Sequence, residues 1–178
     1  MRYRLGPPLI TATEIQARIQ ELATIISSDY ADRDLLLICV LKGGAMFWAD
    51  LCRALHIPCQ SDFVAMESYR EATSPLAEPR FTKAADVALA DRDILIVEDI
   101  IDTGHTSARL RELLWAQSPR SLAMCALLDK AERRQVDTAI EYCGFIIPNA
   151  FVVGYGLDYA QQYRHLAYIA VLEGVLED

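Results

Sequence analysis

A run of seven consecutive apolar residues, L-L-L-I-C-V-L at Leu35–Leu41, is the feature that most restricts the fold of this chain. Because no polar residue alternates with the apolar ones, the run predicts a β-strand that is buried on both faces. Strands of this kind occur in parallel sheets with helices on both sides. The residues K-G-G follow directly, and the next stretch, residues 45–55, is predicted to be a helix that ends before Pro58.

The same strand–turn–helix pattern recurs in the second half of the chain. Residues 94–97 are predicted to be a buried strand, residues 106–116 a helix and residues 122–128 a further buried strand. Strands that alternate with helices imply an α/β sheet with right-handed crossovers. Since 178 residues without a repeat or linker fit one domain, we expect a single domain over residues 1–178.

The remaining elements are predicted with less regular patterns. A turn at Pro7 and Pro8 is expected to precede a helix over residues 13–26 with Thr13 as its N-cap. Further strands are predicted at residues 59–66, 151–153 and 167–172. Residues 68–90 contain two prolines and many polar residues, which predicts a long loop with room for a hairpin.

Composition and charge argue against several classes of protein. A hydrophobic content of 53% with 24% charged residues is typical of a globular domain, and a net charge of −8 disfavours nucleic-acid binding. The first residues lack the apolar run of a signal peptide, and Leu35–Leu41 is too short to span a bilayer. The five cysteines include no C-x-x-C pair. We therefore expect a cytoplasmic protein without a nucleic-acid or membrane partner.

The segment I-L-I-V-E-D-I-I-D-T-G-H-T, residues 94–106, carries the strongest functional signal. Adjacent carboxylates, Glu98 and Asp99, end the predicted strand, where they are costly unless a cation or hydroxyl groups meet them. The turn that follows offers backbone N–H groups and hydroxyls at a helix N-terminus, which suits a phosphate; these come from Thr103, Gly104 and Thr106. Helix capping by Asp99 or Asp102 would explain one acid, but not three acids in five residues.

This segment resembles the signature for 5-phosphoribosyl 1-pyrophosphate (PRPP) in type I phosphoribosyltransferases, and residues 35–172 resemble the hypoxanthine–guanine members of that family. The resemblance implies a mainly parallel central sheet flanked by helices, with a small hood. It also implies Mg²⁺ as cofactor and a homodimer or homotetramer. The implied reaction is purine salvage: transfer of 5-phosphoribosyl from PRPP to hypoxanthine or guanine, which gives IMP or GMP and releases pyrophosphate.

The resemblance assigns a set of residues to PRPP. Glu98 and Asp99 would meet the ribose hydroxyls, directly or through magnesium, and Asp102 would be the general base toward the purine N7. The 5′-phosphate would be held by Thr103, Gly104, His105 and Thr106, with histidine where many relatives have lysine. The remaining PRPP contacts would come from Lys42 and Gly43 of a pyrophosphate loop, where relatives have a cis peptide before the lysine, from Ser68 and Tyr69 of a mobile lid, and from Arg164.

A second set is assigned to the base. Lys130 would donate to the oxygen at purine C6, Phe151 would stack on the purine and Val152 would supply backbone contacts. Asp158 would lie beside the base and bind a second magnesium. Without the resemblance, Lys130 would be interpreted as a solvated lysine at a strand end, and Phe151 as the start of an ordinary strand.

Two other functions remain open at this stage. The same fold can serve another base, such as xanthine or a pyrimidine, although Lys130 and Phe151 favour a 6-oxopurine. The fold can also serve as an RNA-binding regulator. That function needs a basic face, which the charge of −8 disfavours.

Overall fold

The computed structural model describes residues 3–68 and 79–174. Within these ranges the chain forms two sheets and three α-helices. The elements in chain order are β1 (Arg4–Ile10), α1 (Ala12–Asp29), β2 (Leu35–Leu41), α2 (Ala45–Ala54), β3 (Cys59–Ser68), β4 (Pro79–Lys83), β5 (Asp93–Ile101), α3 (His105–Trp115), β6 (Ser121–Asp129), a 3₁₀ turn (Ala131–Arg133), β7 (Tyr142–Ile146), β8 (Val152–Val153) and β9 (Ile169–Glu173).

The larger sheet has six strands in the order β4-β3-β2-β5-β6-β7. Every neighbouring pair is parallel except β3 and β4, which are antiparallel. Strand β2 lies between β3 and β5, and its Leu35 is paired with both Cys59 and Asp93. The fully apolar run is therefore in the interior of a mainly parallel sheet, as the sequence predicted.

The helices cover both faces of this sheet. Phe47 and Leu51 of α2 belong to the same buried cluster as Leu37 of β2, together with the apolar face of α1. Leu110 of α3 packs on the opposite side, in the cluster that contains Ile38 of β2. Because side chains alternate across a strand, the uninterrupted apolar run supplies both clusters at once.

The smaller sheet is antiparallel, with the order β1-β9-β8, and forms the hood. Its first strand corrects one expectation, because Pro7 and Pro8 lie within β1 and not in a turn. Proline is tolerated on an edge strand, where a missing N–H interrupts no ladder between two neighbours. The β1–β9 pairing is irregular on both sides of Pro8, as its ring requires.

Further elements differ from the prediction in their bounds or were not predicted. The N-cap of helix α1 lies two residues earlier than predicted, because Thr11 and Glu14 form a capping box and Thr13 lies within the helix. Strand β5 continues past Val97 to Ile101, because its ladder with β6 runs on to the pair Ile101–Asp129. Strand β7 was not predicted; it is a half-buried edge strand. Strand β4 pairs antiparallel with β3, which agrees with the hairpin for which the predicted loop over residues 68–90 had room.

None of the helices in the described ranges is long and apolar enough to cross a membrane.

A buried carboxylate fixes the chain after β4 to the large sheet. Asp62 of β3 is only 4% exposed and accepts hydrogen bonds from the backbone N–H groups of Asp86 at 2.7 Å and Val87 at 3.0 Å. It also accepts one from Phe63 at 2.7 Å. Burial alone would raise the pKa of Asp62, but these hydrogen bonds and Lys83 lower it below its ordinary value.

Replacing this carboxylate should destabilise the fold. We expect Asp62→Ala to lower the free energy of unfolding by about 1–3 kcal/mol, because three backbone N–H groups lose their buried carboxylate acceptor. Asp86→Ala is the matched control, since its carboxylate is 80% exposed and pairs only at the surface with Lys83. Urea unfolding of both variants checks this, and equal stability of the two would contradict the role of Asp62.

Candidate active site

A cleft with a volume of about 580 Å³ lies at the carboxyl ends of the parallel strands, where ligands bind in sheets of this type. It brings together most of the residues that the sequence singled out, from segments far apart in the chain. Its lining consists of Val40, Leu41, Lys42, Gly43, Glu98, Asp99, Ile100, Asp102, Lys130, Arg133, Phe151, Val152, Leu157, Asp158 and Arg164.

The predicted phosphate segment, residues 103–106, forms the turn from β5 into α3. Gly104 has φ +91°, a left-handed conformation that favours glycine, and a Cβ atom there would also overlap the carbonyl oxygen of Val136. The N-cap makes no side-chain hydrogen bond, so the first N–H groups of α3 are not satisfied by a capping side chain. His105 is exposed, and its Nε2 lies 3.2 Å from Oε1 of Gln135.

Of the two residues assigned to the predicted lid, Ser68 and Tyr69, the structure describes only the first. The backbone of Ser68 ends β3 and is paired with Pro79 of β4. Tyr69 lies outside the described residues.

Two adjacent carboxylates lie near the end of β5, inside the strand. Burial, reinforced by the neighbouring Asp99, raises the pKa of Glu98 well above its ordinary value. Burial also raises the pKa of Asp99 to about 6, even though the carboxylate accepts a hydrogen bond from the Ile100 N–H at 3.0 Å. Oε2 of Glu98 is buried and has no hydrogen-bond partner within the described ranges. A cation in the cleft would favour the charged form of both groups.

The loop after β2 is packed tightly against this acidic pair. A Cβ atom on Gly43 would overlap the carboxylate of Asp99, so only glycine fits at that position without a shift. On the other side, a Cβ atom on Gly156 would overlap the carbonyl oxygen of Gly43. The peptide bond between Leu41 and Lys42 is cis, the isomer that the family resemblance implied at this position.

Asp158 and Arg164 form an ion pair at one side of the cleft, with Oδ1 of Asp158 2.7 Å from Nη2 of Arg164. The other carboxylate oxygen of Asp158 accepts a hydrogen bond from the Gln161 N–H at 2.8 Å. Nη1 of Arg164 donates to the carbonyl oxygen of Gly156 at 2.6 Å. In the part of the chain that the structure describes, no three His, Cys, Asp or Glu side chains come close enough to form a metal site by themselves.

Asp102 lies between two cationic side chains. Nζ of Lys130 is 3.4 Å from its Oδ2, and Nε of Arg133 is 2.9 Å from its Oδ1. Lys130 is only 4% exposed, so it is not the solvated strand-end lysine that its position alone suggested. The sequence reasoning missed Arg133. Its place directly after the end of β6, at the edge where the strand ends meet, was the available signal.

Comparison with known proteins agrees with this geometry. A family model described as a phosphoribosyl transferase domain matches residues 11–160. The hypoxanthine phosphoribosyltransferase of Salmonella typhimurium is 47% identical over 163 residues, which cover 90% of this chain and 92% of that protein. The hypoxanthine-guanine phosphoribosyltransferase of Mycobacterium tuberculosis is 47% identical over 171 residues, covering 93% of this chain and 85% of that protein.

A solved structure leads to the same family. The crystal structure of a hypoxanthine-guanine phosphoribosyltransferase from Bacillus anthracis superposes with a TM-score of 0.89 at 37% sequence identity. The match covers 96% of this chain and 99% of that one. The chain belongs to the phosphoribosyltransferase family and has the type I phosphoribosyltransferase fold.

Proposed function

We propose that this protein is a purine-salvage enzyme that transfers 5-phosphoribosyl from PRPP to N9 of hypoxanthine or guanine, forming IMP or GMP and pyrophosphate. The observation that carries the proposal is that Glu98, Asp99, Asp102, Lys130 and Phe151 line one cleft. The relatives named above support the purine reaction over an RNA-binding role.

The base would bind between Phe151 and the Lys130–Asp102 pair. Lys130 is buried and positively charged, so it favours a ligand atom that accepts a hydrogen bond, such as the oxygen at purine C6. Adenine has an amino group there, which would leave the ammonium without a partner on the ligand. Phe151 offers a ring for stacking, and Val152 and Asp158 line the same part of the cleft. A 6-oxopurine therefore fits the charges of this site.

PRPP would bind across the loops at the strand ends. Its 5′-phosphate would lie at the start of α3, against the backbone of Thr103, Gly104, His105 and Thr106. Its pyrophosphate would meet the loop containing Lys42 and Gly43, together with the guanidinium of Arg164. Ser68 and Tyr69 would belong to a lid that closes over the sugar and excludes water during the reaction.

The carboxylates of the cleft suit Mg²⁺. Magnesium in proteins is commonly bound by one or two carboxylates together with substrate phosphates, so a cluster of three protein acids is not needed. Glu98, with its unpartnered buried oxygen, and Asp99 would hold one ion near the ribose, and Asp158 would lie near a second. When bound, the metal would neutralise negative charge on the departing pyrophosphate.

The residues of the chain would assist the transfer in distinct ways. Breaking the anomeric C–O bond leaves positive charge on the ribose ring and negative charge on pyrophosphate, and N9 of the base forms the new bond to the anomeric carbon. Asp102 would accept or share the proton at purine N7 as N9 becomes nucleophilic. Lys130 would orient the base through its oxygen, and the buried acidic pair would hold the ribose hydroxyls.

The organisation of the molecule around this site is also a proposal. We expect residues 1–178 to act as one domain, because hood residues such as Val152 and Ile169 belong to the same buried cluster as Leu35 of the large sheet. We further propose a cytoplasmic homodimer or homotetramer without nucleic-acid or membrane partners, in keeping with the net charge of −8.

The reaction can be tested directly with purified protein. With PRPP and Mg²⁺ present, hypoxanthine and guanine should be converted to their nucleotides, and adenine should be a poor substrate. A spectrophotometric assay of each base, with Mg²⁺ omitted as a control, measures this. Folded protein that forms no nucleotide with any purine, yet binds a specific RNA tightly, would overturn the enzyme function.

Replacing Asp102 tests its role as general base. We expect Asp102→Asn to lower kcat by about 10²- to 10⁴-fold, the usual range for a positioned acid–base group, with little change in the affinity for PRPP. Steady-state kinetics with hypoxanthine provide the measurement. If kcat were unchanged, Asp102 would not be the base; if PRPP binding alone were lost, its role would be to position the substrate.

Replacing Lys130 tests the choice of base. Lys130→Ser removes a charge-assisted donor, which should cost about 1.5–3 kcal/mol of transition-state stabilisation with hypoxanthine and guanine. Turnover of adenine should fall less or improve, because adenine has no acceptor at that position. The measurement is kcat/KM for the three bases at saturating PRPP. An equal fall in kcat/KM for all three bases would show that Lys130 does not discriminate between them.

A further inference from the structure

We infer that Arg133 is a positioning residue: it holds the carboxylate of Asp102 in the orientation needed to share the N7 proton, while Lys130 donates to the purine oxygen. This inference rests on the proposed function. It assigns a role to a side chain that the sequence did not single out, in a turn after β6.

The contact between Arg133 and Asp102 is the shorter of the two contacts that cations make with this carboxylate. Nε of Arg133 lies 2.9 Å from Oδ1, whereas Nζ of Lys130 lies 3.4 Å from Oδ2. The two cations therefore meet different oxygens of the same group. Oδ1 is buried and accepts no hydrogen bond within the described residues, so its contact with Arg133 is an ion pair. The side chain of Arg133 is 20% exposed and that of Asp102 38%, but the Oδ1 atom that Arg133 contacts is itself buried.

The same guanidinium also contacts the segment that precedes Phe151. Nη1 of Arg133 donates to Oδ1 of Asn149 at 3.4 Å, and Asn149 precedes Phe151 by two residues. Because the guanidinium is planar and rigid, two contacts on its different nitrogens restrict its orientation. Arg133 thereby links Asp102, the proposed general base, to the segment that carries Phe151.

The backbone around Arg133 is fixed to the phosphate turn itself. The N–H groups of Gln135 and Val136 donate to the carbonyl oxygen of Thr103, at 2.9 and 3.1 Å. Nη1 of Arg134 donates to the carbonyl oxygen of Asp102 at 3.1 Å, and its Nη2 pairs with Asp129. These hydrogen bonds join the turn that carries Arg133 to the backbone of Asp102 and Thr103, which restricts where the Arg133 side chain begins.

Contact with Lys130 alone would not keep the Asp102 carboxylate in one orientation during the reaction. When Lys130 directs its ammonium to the purine oxygen, its contact with Asp102 weakens, and the carboxylate would then be free to rotate. Arg133 stays beside the other oxygen. Asp102 thus keeps its direction at the moment when the N7 proton is shared.

The first test compares three variants with the wild-type enzyme. Arg133→Met should lower kcat by about 10- to 100-fold, the size of effect expected from a misplaced reacting group, while KM for PRPP stays close to the wild-type value. Arg133→Lys should recover part of the loss because it keeps the positive charge. Arg109→Met is the control, since Arg109 makes a surface pair with Glu112 on α3. Thermal unfolding midpoints report whether each variant folds.

A double-mutant cycle separates this role from a general structural one. If Arg133 acts through Asp102, then Arg133→Met should change kcat little in the Asp102→Asn background. The same fold-loss in both backgrounds would overturn the inference, as would wild-type kinetics for Arg133→Met in an active enzyme. A wild-type protein that makes no nucleotide would instead overturn the proposed function, and the inference with it.

Discussion

The parallel pairing of β2, β5 and β6 is the constraint on which the rest of the structure depends. Leu35, Asp93 and Ser121 begin these strands in register, so their carboxyl ends reach the same edge of the sheet. Backbone hydrogen bonds set this register. Burial on both faces stabilises it, because a shift by one residue would move each apolar side chain to the other face of the sheet. The parallel register therefore brings the loop after β2, the acids of β5 and the lysine after β6 to the same edge.

The site concentrates charge in a place where burial makes charge costly. Glu98 and Asp99 have raised pKa values because they are buried. Their surroundings offer little room, as the packing of Gly43 against Asp99 demonstrates. The surroundings of Asp102 are different, because the cationic side chains of Lys130 and Arg133 contact its carboxylate directly. Three neighbouring acids therefore have two kinds of environment: one suited to a bound cation and one that keeps a carboxylate oriented.

The sequence predicted those features that depend on local pattern and missed those that depend on tertiary contact. The bounds of β2 were predicted correctly, because an unbroken apolar run has few other structures. Strand β1 was predicted as a turn at Pro7 and Pro8, because β9, the strand with which it pairs, lies far along the chain. The burial of Lys130 and the position of Arg133 beside Asp102 likewise arise from how the segments after β5 and β6 pack together.

A crystal structure of the protein with bound IMP is the most direct test of the account, because it locates phosphate and base in one measurement. We predict that the 5′-phosphate lies on the backbone N–H groups of residues 103–106 and that the purine stacks on Phe151. Its O6 should lie within hydrogen-bond distance of Lys130, and its N7 within that distance of Asp102. A nucleotide bound outside this cleft, or one whose base contacts neither Lys130 nor Asp102, would contradict the account.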